Sequence, residues 1–187
     1  VALAQTGAKI LLVDCDLRRP SLDRIFGEER SPGLTDLLIN NDLKAIRTIP
    51  QANFDFIPAG TEPPNPTQFL ESDRMKSFLE KAQSRYDFVL IDAPPLLPVA
   101  DALILASRAD INVLILESCR VPDKLAKRAL ESLQRHGANI AGAVINDKTG
   151  KGARYYGPYS YYTGRYYQGY YRQETTPAPA PLWRRAV

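Results

Sequence analysis

Three carboxylates stand at positions from which they could act together. The apolar run Ile10-Leu11-Leu12-Val13 ends in Asp14, with Asp16 two residues on and Arg18 and Arg19 just beyond. A second run, Phe88-Val89-Leu90-Ile91, ends in Asp92 and continues into Ala93-Pro94-Pro95, a stiff turn. Strands of an open parallel sheet deliver their C-terminal residues to the ligand crevice, so Asp14, Asp16 and Asp92 are the candidates for chemistry. Carboxylates gathered at one sheet edge repel each other unless a cation sits among them. A hard divalent ion with oxygen ligands, bridging to phosphates, meets that need. Arg18 and Arg19 are placed to face phosphate oxygens. A strand-end Asp also serves as a helix or turn cap, and either run alone fits that reading equally well. The two strings together are more specific.

Positioning these acids requires a sheet. Apolar runs read as strands at Lys9–Asp14, Phe54–Pro58, Asp87–Asp92, Asn112–Glu117 and Ile140–Asn146. Continuous runs rather than strict alternation suit strands buried on both faces. Between them, Thr67–Arg85 carries Phe69, Leu70, Phe78, Leu79 and Ala82 at helical spacing. Pro122–His136 opens on proline and is followed by Gly137, the punctuation of a helix. Val1–Gly7 reads as the last turns of a helix stopped by glycine. Strand–helix alternation predicts the α/β class, a mostly parallel sheet with flanking helices.

Composition narrows the function. Of 187 residues, 44% are hydrophobic and 24% charged, the profile of a soluble globular chain. No window approaches the ~20 apolar residues of a membrane span. With His136 as the single histidine, a multi-histidine metal site cannot form and a histidine triad is disfavoured. Cys15 and Cys119 sit in or beside apolar runs and read as reduced, small buried hydrophobes. From Lys151 onward six Lys or Arg oppose only Glu174, a net +5, which leaves 18 basic against 20 acidic residues, or −2, before it. That asymmetry argues against a whole-surface nucleic-acid binder.

The last stretch differs in kind. Residues 150–171 hold nine of the ten tyrosines and no Leu, Ile or Val, so they cannot build a core of their own. Residues 175–181 are Thr, Pro and Ala only, a linker-like composition. The expected division is a folded domain over 1–149 and a mobile tyrosine-rich tail over 150–187.

Taken in order, these segments resemble the bacterial tyrosine autokinases of exopolysaccharide and capsule export. Val13-Asp14-Cys15-Asp16-Leu17-Arg18 is similar to their Walker A′ motif, and Val89-Leu90-Ile91-Asp92-Ala93-Pro94-Pro95 to their Walker B. Ser31-Pro32-Gly33-Leu34-Thr35-Asp36-Leu37-Leu38 and Gly60-Thr61-Glu62-Pro63-Pro64-Asn65-Pro66 resemble further segments of the family, and the tyrosine cluster its autophosphorylation tail.

The resemblance implies a P-loop NTPase fold of the deviant-Walker, partitioning-ATPase kind, with ATP and Mg²⁺ as cofactors. It makes Asp14 the base for the tyrosine hydroxyl. Asp16 and Asp92 become the acids that hold the metal, and Arg18, Arg120 and Asn146 nucleotide contacts. Asn146 also reads as a strand-end turn former and Arg120 as a solvated loop arginine. The acceptors implied are Tyr155, Tyr156, Tyr159, Tyr161, Tyr162, Tyr166, Tyr167, Tyr170 and Tyr171. The implied partners are further copies of the chain in a ring, an inner-membrane chain-length regulator, fused or separate, and a tyrosine phosphatase. No nucleic acid is implied, and the implied location is the cytoplasmic face of the plasma membrane. Phosphoryl transfer suits such a site, because it needs positioning and charge neutralisation more than covalent catalysis.

Two departures stand out. No Gly-x-x-x-x-Gly-Lys-[Ser/Thr] loop occurs in the chain, and its first residue is Val. Both predict a fragment lacking its N-terminal strand and P-loop, one that alone binds ATP poorly and does not turn over. Ala93 stands where the family usually has Ser or Thr. Two other functions compete. A non-kinase ATPase that positions cargo would not use the tyrosines. A nucleic-acid or membrane module led by the basic aromatic tail would bind in a strongly salt-dependent way.

Overall fold

The computed structural model describes residues 2–50, 52–118 and 120–147. They form two compact units that divide between Pro94 and Pro95.

In the first unit a 3-10 turn over Ala4–Thr6 leads into strand β1, Ile10–Asp14. Gly7 ends the turn at φ +88°, with its N–H donated to the Ala4 carbonyl. The opening residues are thus a single 3-10 turn where sequence predicts the end of a longer helix. Next come α1 (Leu22–Phe26), α2 (Leu34–Asn40), a second 3-10 turn (Leu43–Ala45), β2 (Arg47–Ile49), β3 (Phe54–Ile57), α3 (Pro66–Glu71), α4 (Asp73–Gln83) and β4 (Phe88–Asp92). The sheet order is β2-β3-β1-β4. β1 runs parallel to both neighbours, pairing Leu12 with Phe56 and with Leu90. β2 is antiparallel to β3 at the edge.

Alternation along β1 feeds two cores. Ile10 and Leu12 join Ile49, Phe54 and Phe56, and α1 covers them with Leu22 and Phe26. The Phe26 ring meets Phe54 edge-on at 5.4 Å and Phe56 at 5.1 Å, separations at which aromatic pairs add to simple burial. On the other face Leu11 lies beneath residues of α2 and α4. This is why β1 reads as a continuous apolar run.

The helix expected over Thr67–Arg85 is two helices. Ser72 breaks it with extended backbone (ψ 155°). Its hydroxyl accepts from the Met75 N–H and so caps α4, the local competition that makes serine a helix starter. The apolar spacing continues through the break and hides it from the sequence. Asn65 caps α3 through the Gln68 N–H, with Pro66 in its first turn.

Tyr86, the one tyrosine before the tail, closes the α4–β4 connection. Its hydroxyl donates to Asp55 Oδ2 at 2.7 Å, and Thr48 donates to Oδ1 of the same carboxylate. Burial, then the bond and charge of Asp55, push the phenol up to about 12. The neutral phenol therefore favours the folded state. Its contribution holds below about pH 10, the unfolded value, and is lost as pH rises through 12. Tyr86→Phe is expected to cost about 1–2 kcal/mol in urea unfolding at pH 7. It should also flatten the loss of stability between about pH 10 and 12.

The second unit contains α5 (Asp101–Arg108), β5 (Asn112–Glu117), α6 (Asp123–Arg135) and β6 (Ile140–Asn146). β5 and β6 pair in parallel, with Glu117 opposite Asn146. Pro122 caps α6, and Gly137 follows it at φ +71°, as the punctuation predicts. Burial of these strands departs from expectation. Val113, Ile115, Val144 and Ile145 are all more than half exposed, and in β4 Phe88 and Leu90 are exposed as well. An apolar run records strand propensity, whereas burial depends on what stacks against the run. Only β1 and β3 have that cover on both faces.

Among the described residues no helix is long and apolar enough to cross a membrane. The tail, Cys119 and all nine expected acceptor tyrosines lie outside the described residues.

Candidate active site

Asp14 and Asp92 are direct register partners at the C-terminal ends of two adjacent parallel strands. The pairing continues one residue further, where the Cys15 N–H donates to the Asp92 carbonyl at 2.8 Å. Two acids 78 positions apart thus share one sheet edge, as the strand-tip reading requires.

Asp14 is fully buried. Its position in β1 puts it on the α1 side, where Oδ2 accepts the Ser21 and Leu22 N–H groups, both at 3.2 Å. Its Oδ1 accepts the Asp16 N–H at 3.1 Å. The cap reading and the catalytic reading therefore describe the same carboxylate. Burial raises its pKa most, the Leu22 N–H opposes, and Asp92 adds to the rise, for a value of about 6. Asp16 and Asp92 are half-buried. Burial, then the Asp16 charge, push the Asp92 carboxyl up. Asp16 Oδ1 accepts the Arg19 N–H at 2.9 Å, which shapes the turn after β1.

Between the acids lies Cys15, a free and fully buried thiol. Burial, then Asp14 and Asp92, raise its pKa well above 9.0, so it stays protonated and inert. Arg18 donates to the Thr67 hydroxyl at 3.1 Å, which ties the β1 turn to the first turn of α3. The sequence does not disclose this contact, because nothing near Thr67 marks a partner 49 positions away.

Arg120 and Asn146 belong to the second unit. Arg120 forms a two-oxygen contact with Glu117 at 3.0 and 3.1 Å and is largely exposed. Asn146 ends β6 opposite Glu117, and its carbonyl accepts the Ser118 N–H. The two residues therefore flank the same strand end.

The family-like segments around Gly33 and Gly60 also meet. Leu34 N–H donates to the Pro58 carbonyl at 2.7 Å, and Gly60 N–H to the Arg30 carbonyl at 3.1 Å. Asp36 takes the Gly33 N–H on Oδ2 and the Thr61 hydroxyl on Oδ1. Burial pushes the Asp36 carboxyl up, but these bonds outweigh it and hold it below the usual range.

Comparison with known proteins identifies the fold and family. The chain is 37% identical over 164 residues to the tyrosine-protein kinase YwqD of Bacillus subtilis, spanning 87% of this chain and 68% of that protein. It belongs to the bacterial tyrosine-protein kinase family. The kinase domain of Escherichia coli ETK superposes with a TM-score of 0.77 at 34% identity, over 86% of this chain and 62% of that domain. Tyrosine-protein kinase wzc of Salmonella typhimurium is 34% identical over 163 residues, but this kinase-family chain spans only 23% of its length. The AAA domain family matches residues 1–135. MinD of Pyrococcus horikoshii, solved with Mg-ADP, shares the fold at 22% identity and a TM-score of 0.63. The fold is thus the α/β P-loop NTPase fold, of which strand–helix order predicts the α/β class and the family resemblance implies the P-loop type.

Proposed function

We propose that this chain is the catalytic part of an ATP-dependent protein tyrosine kinase that phosphorylates its own C-terminal tyrosines and so regulates polysaccharide synthesis and export. The observation that carries this reading is the register pairing of Asp14 with Asp92, with Asp14 buried and its pKa near 6. A tyrosine hydroxyl, with pKa about 10, is a poor nucleophile at neutral pH and gains from a carboxylate within reach. A base titrating near 6 is largely ionised at pH 7 and still basic enough to take a proton.

The carboxylates fit magnesium in a limited way. Among the described residues no group of three or more Asp, Glu, His or Cys is arranged to hold a metal. Asp14 takes two backbone N–H groups on Oδ2 and one on Oδ1, which keeps acceptor capacity on Oδ1 for a proton, and Asp16 and Asp92 are the pair proposed for the ion. Two carboxylates suffice for Mg²⁺, which keeps several waters and takes its other ligands from phosphate. The ion would supply charge neutralisation at the β- and γ-oxygens. Asp16 and Asp92 would hold it, Asp14 would orient the tyrosine hydroxyl and accept its proton, and Arg18 would face phosphate. Arg120 and Asn146 would contact the nucleotide. Further copies of the chain, a membrane regulator and a phosphatase complete the proposed partners, at the cytoplasmic face of the membrane.

Incubating the full-length protein with ATP and Mg²⁺ and probing for phosphotyrosine tests the proposal. Phosphotyrosine within residues 155–171 is the expected result, with an acidic limb near pH 6 in the rate. ATP hydrolysis without phosphotyrosine would instead establish the cargo-positioning ATPase.

A further inference from the structure

A groove of about 640 Å³ opens on the face of the first unit where α2, the turn after it and α4 cover Leu11. One wall is apolar, with Leu38, Ile46 and Phe78, and the rim carries Leu43, 64% exposed, and Ile39, 55% exposed. Arg74, Lys81 and Arg85 line it as well, against the single carboxylate of Asp73. Lys81 and Arg85 are exposed. Arg74 also donates to the Leu38 and Ile39 carbonyls and so closes the C-terminal end of α2. Arg74 and Lys81 stand seven residues apart on α4, and Arg85 follows four residues later in the turn beyond it. Their backbone positions form a row about 16 Å long beside an apolar wall.

We propose that this groove binds the chain's own C-terminal tyrosine segment in its phosphorylated form. The inference rests on the reading of that segment as the phosphoacceptor. Phosphotyrosine pairs an apolar ring with a dianion, and the groove pairs an apolar wall with a row of cations. A single small anion would meet only one or two of the cations. Two phosphates four residues apart on an extended chain lie on the same face, about 13 Å apart, within the length of the row. Tyr162, Tyr166, Tyr167, Tyr170 and Tyr171 repeat at that interval. Charge makes the groove selective. The unmodified tail carries +5 and is repelled by the row. Each phosphate adds about −1.5 to −2, so one outweighs Arg165, the single charge of residues 155–171, and three cancel the charge of the whole tail. Docking of the modified tail would withdraw its tyrosines from further reaction, a feedback built on a surface separate from the strand-tip acids.

The test uses two chemically made peptides of residues 159–171, one unmodified and one phosphorylated at Tyr162 and Tyr166, titrated by fluorescence anisotropy against the full-length protein. The phosphopeptide is expected to bind at least about tenfold tighter, the gain typical of adding charge-assisted contacts. The double variant Lys81→Glu/Arg85→Glu should erase that preference while its thermal unfolding stays unchanged. Lys124→Glu/Lys127→Glu, the same charge change on exposed positions of α6, should keep it. Equal binding of the two peptides, persistence of the preference in the groove variant, or its loss in the α6 variant overturns the proposal. Because the phosphates are introduced chemically, a negative result here leaves the kinase reading standing. A chain that makes no phosphotyrosine leaves this measurement equally decisive about the groove.

Discussion

Asp14→Asn in the full-length protein is expected to lower the rate of tyrosine autophosphorylation by about 10²–10⁴-fold, the usual worth of a positioned general base. The same substitution should leave stability at pH 7 nearly unchanged. Asp14 is buried, and its folded pKa of about 6 lies above the ordinary 3.8. The protonated form is thus favoured by folding. Its contribution is complete below about pH 4 and is lost as pH rises through 6. At pH 7 the ionised carboxylate costs about 3 kcal/mol, the shift converted at 1.36 kcal/mol per unit. Asparagine removes that cost. It keeps one oxygen for the Ser21 and Leu22 N–H groups but turns its own N–H₂ toward the Asp16 N–H, a mismatch worth about 1–3 kcal/mol. The two changes offset. Phosphotyrosine yield and thermal unfolding at pH 4, 5, 6 and 7 check both halves. A variant that keeps wild-type activity, or that loses activity only because it unfolds, removes Asp14 from the chemistry.

Gly33→Ala is expected to destabilise the protein by about 2–4 kcal/mol and lower the melting temperature by about 5–15 °C. The backbone at Gly33 is ordinary extended chain, so conformational strain is not the reason. A Cβ there would overlap the Gly60 amide nitrogen and the Pro58 carbonyl oxygen. Both are backbone atoms and cannot rotate aside. The start of α2 would have to part from residues 58–61. That parting would break the Leu34-to-Pro58 bond and the contacts of Asp36 with Thr61. Gly27→Ala is the informative control. Gly27 sits at φ +71° with nothing within 4 Å of a built Cβ, so alanine there should cost only about 1 kcal/mol of left-handed strain. Denaturant unfolding of the two variants side by side measures the difference. Equal losses would show that the crossing of the two segments contributes little.

Both results depend on contacts between distant segments, which sequence reading reaches unevenly. Five strands were readable because their apolar runs are long and end in Asp, Glu, Asn or Pro. β2 was not, because Arg47-Thr48-Ile49 is three residues long with one apolar member and takes its order from β3. The short helices α1, α2 and α5 are not legible either. Five to eight residues are too few for a helical period to show, and packing rather than propensity holds them. α6, at thirteen residues with proline before it and glycine after it, was readable at both ends.

By itself the sequence determines which residues end the long strands, where α6 starts and stops, and which carboxylates are available for chemistry. Those properties follow from residue type and spacing within a few positions. Only the tertiary structure decided that Asp14 and Asp92 are opposite one another, and that burial lifts Asp14 to about 6. It alone brought the Gly33 and Gly60 segments into contact and laid two cations of α4 and Arg85 of the turn after it along an apolar wall. Strand register, desolvation and groove shape arise between segments dozens of residues apart, and no local pattern encodes them.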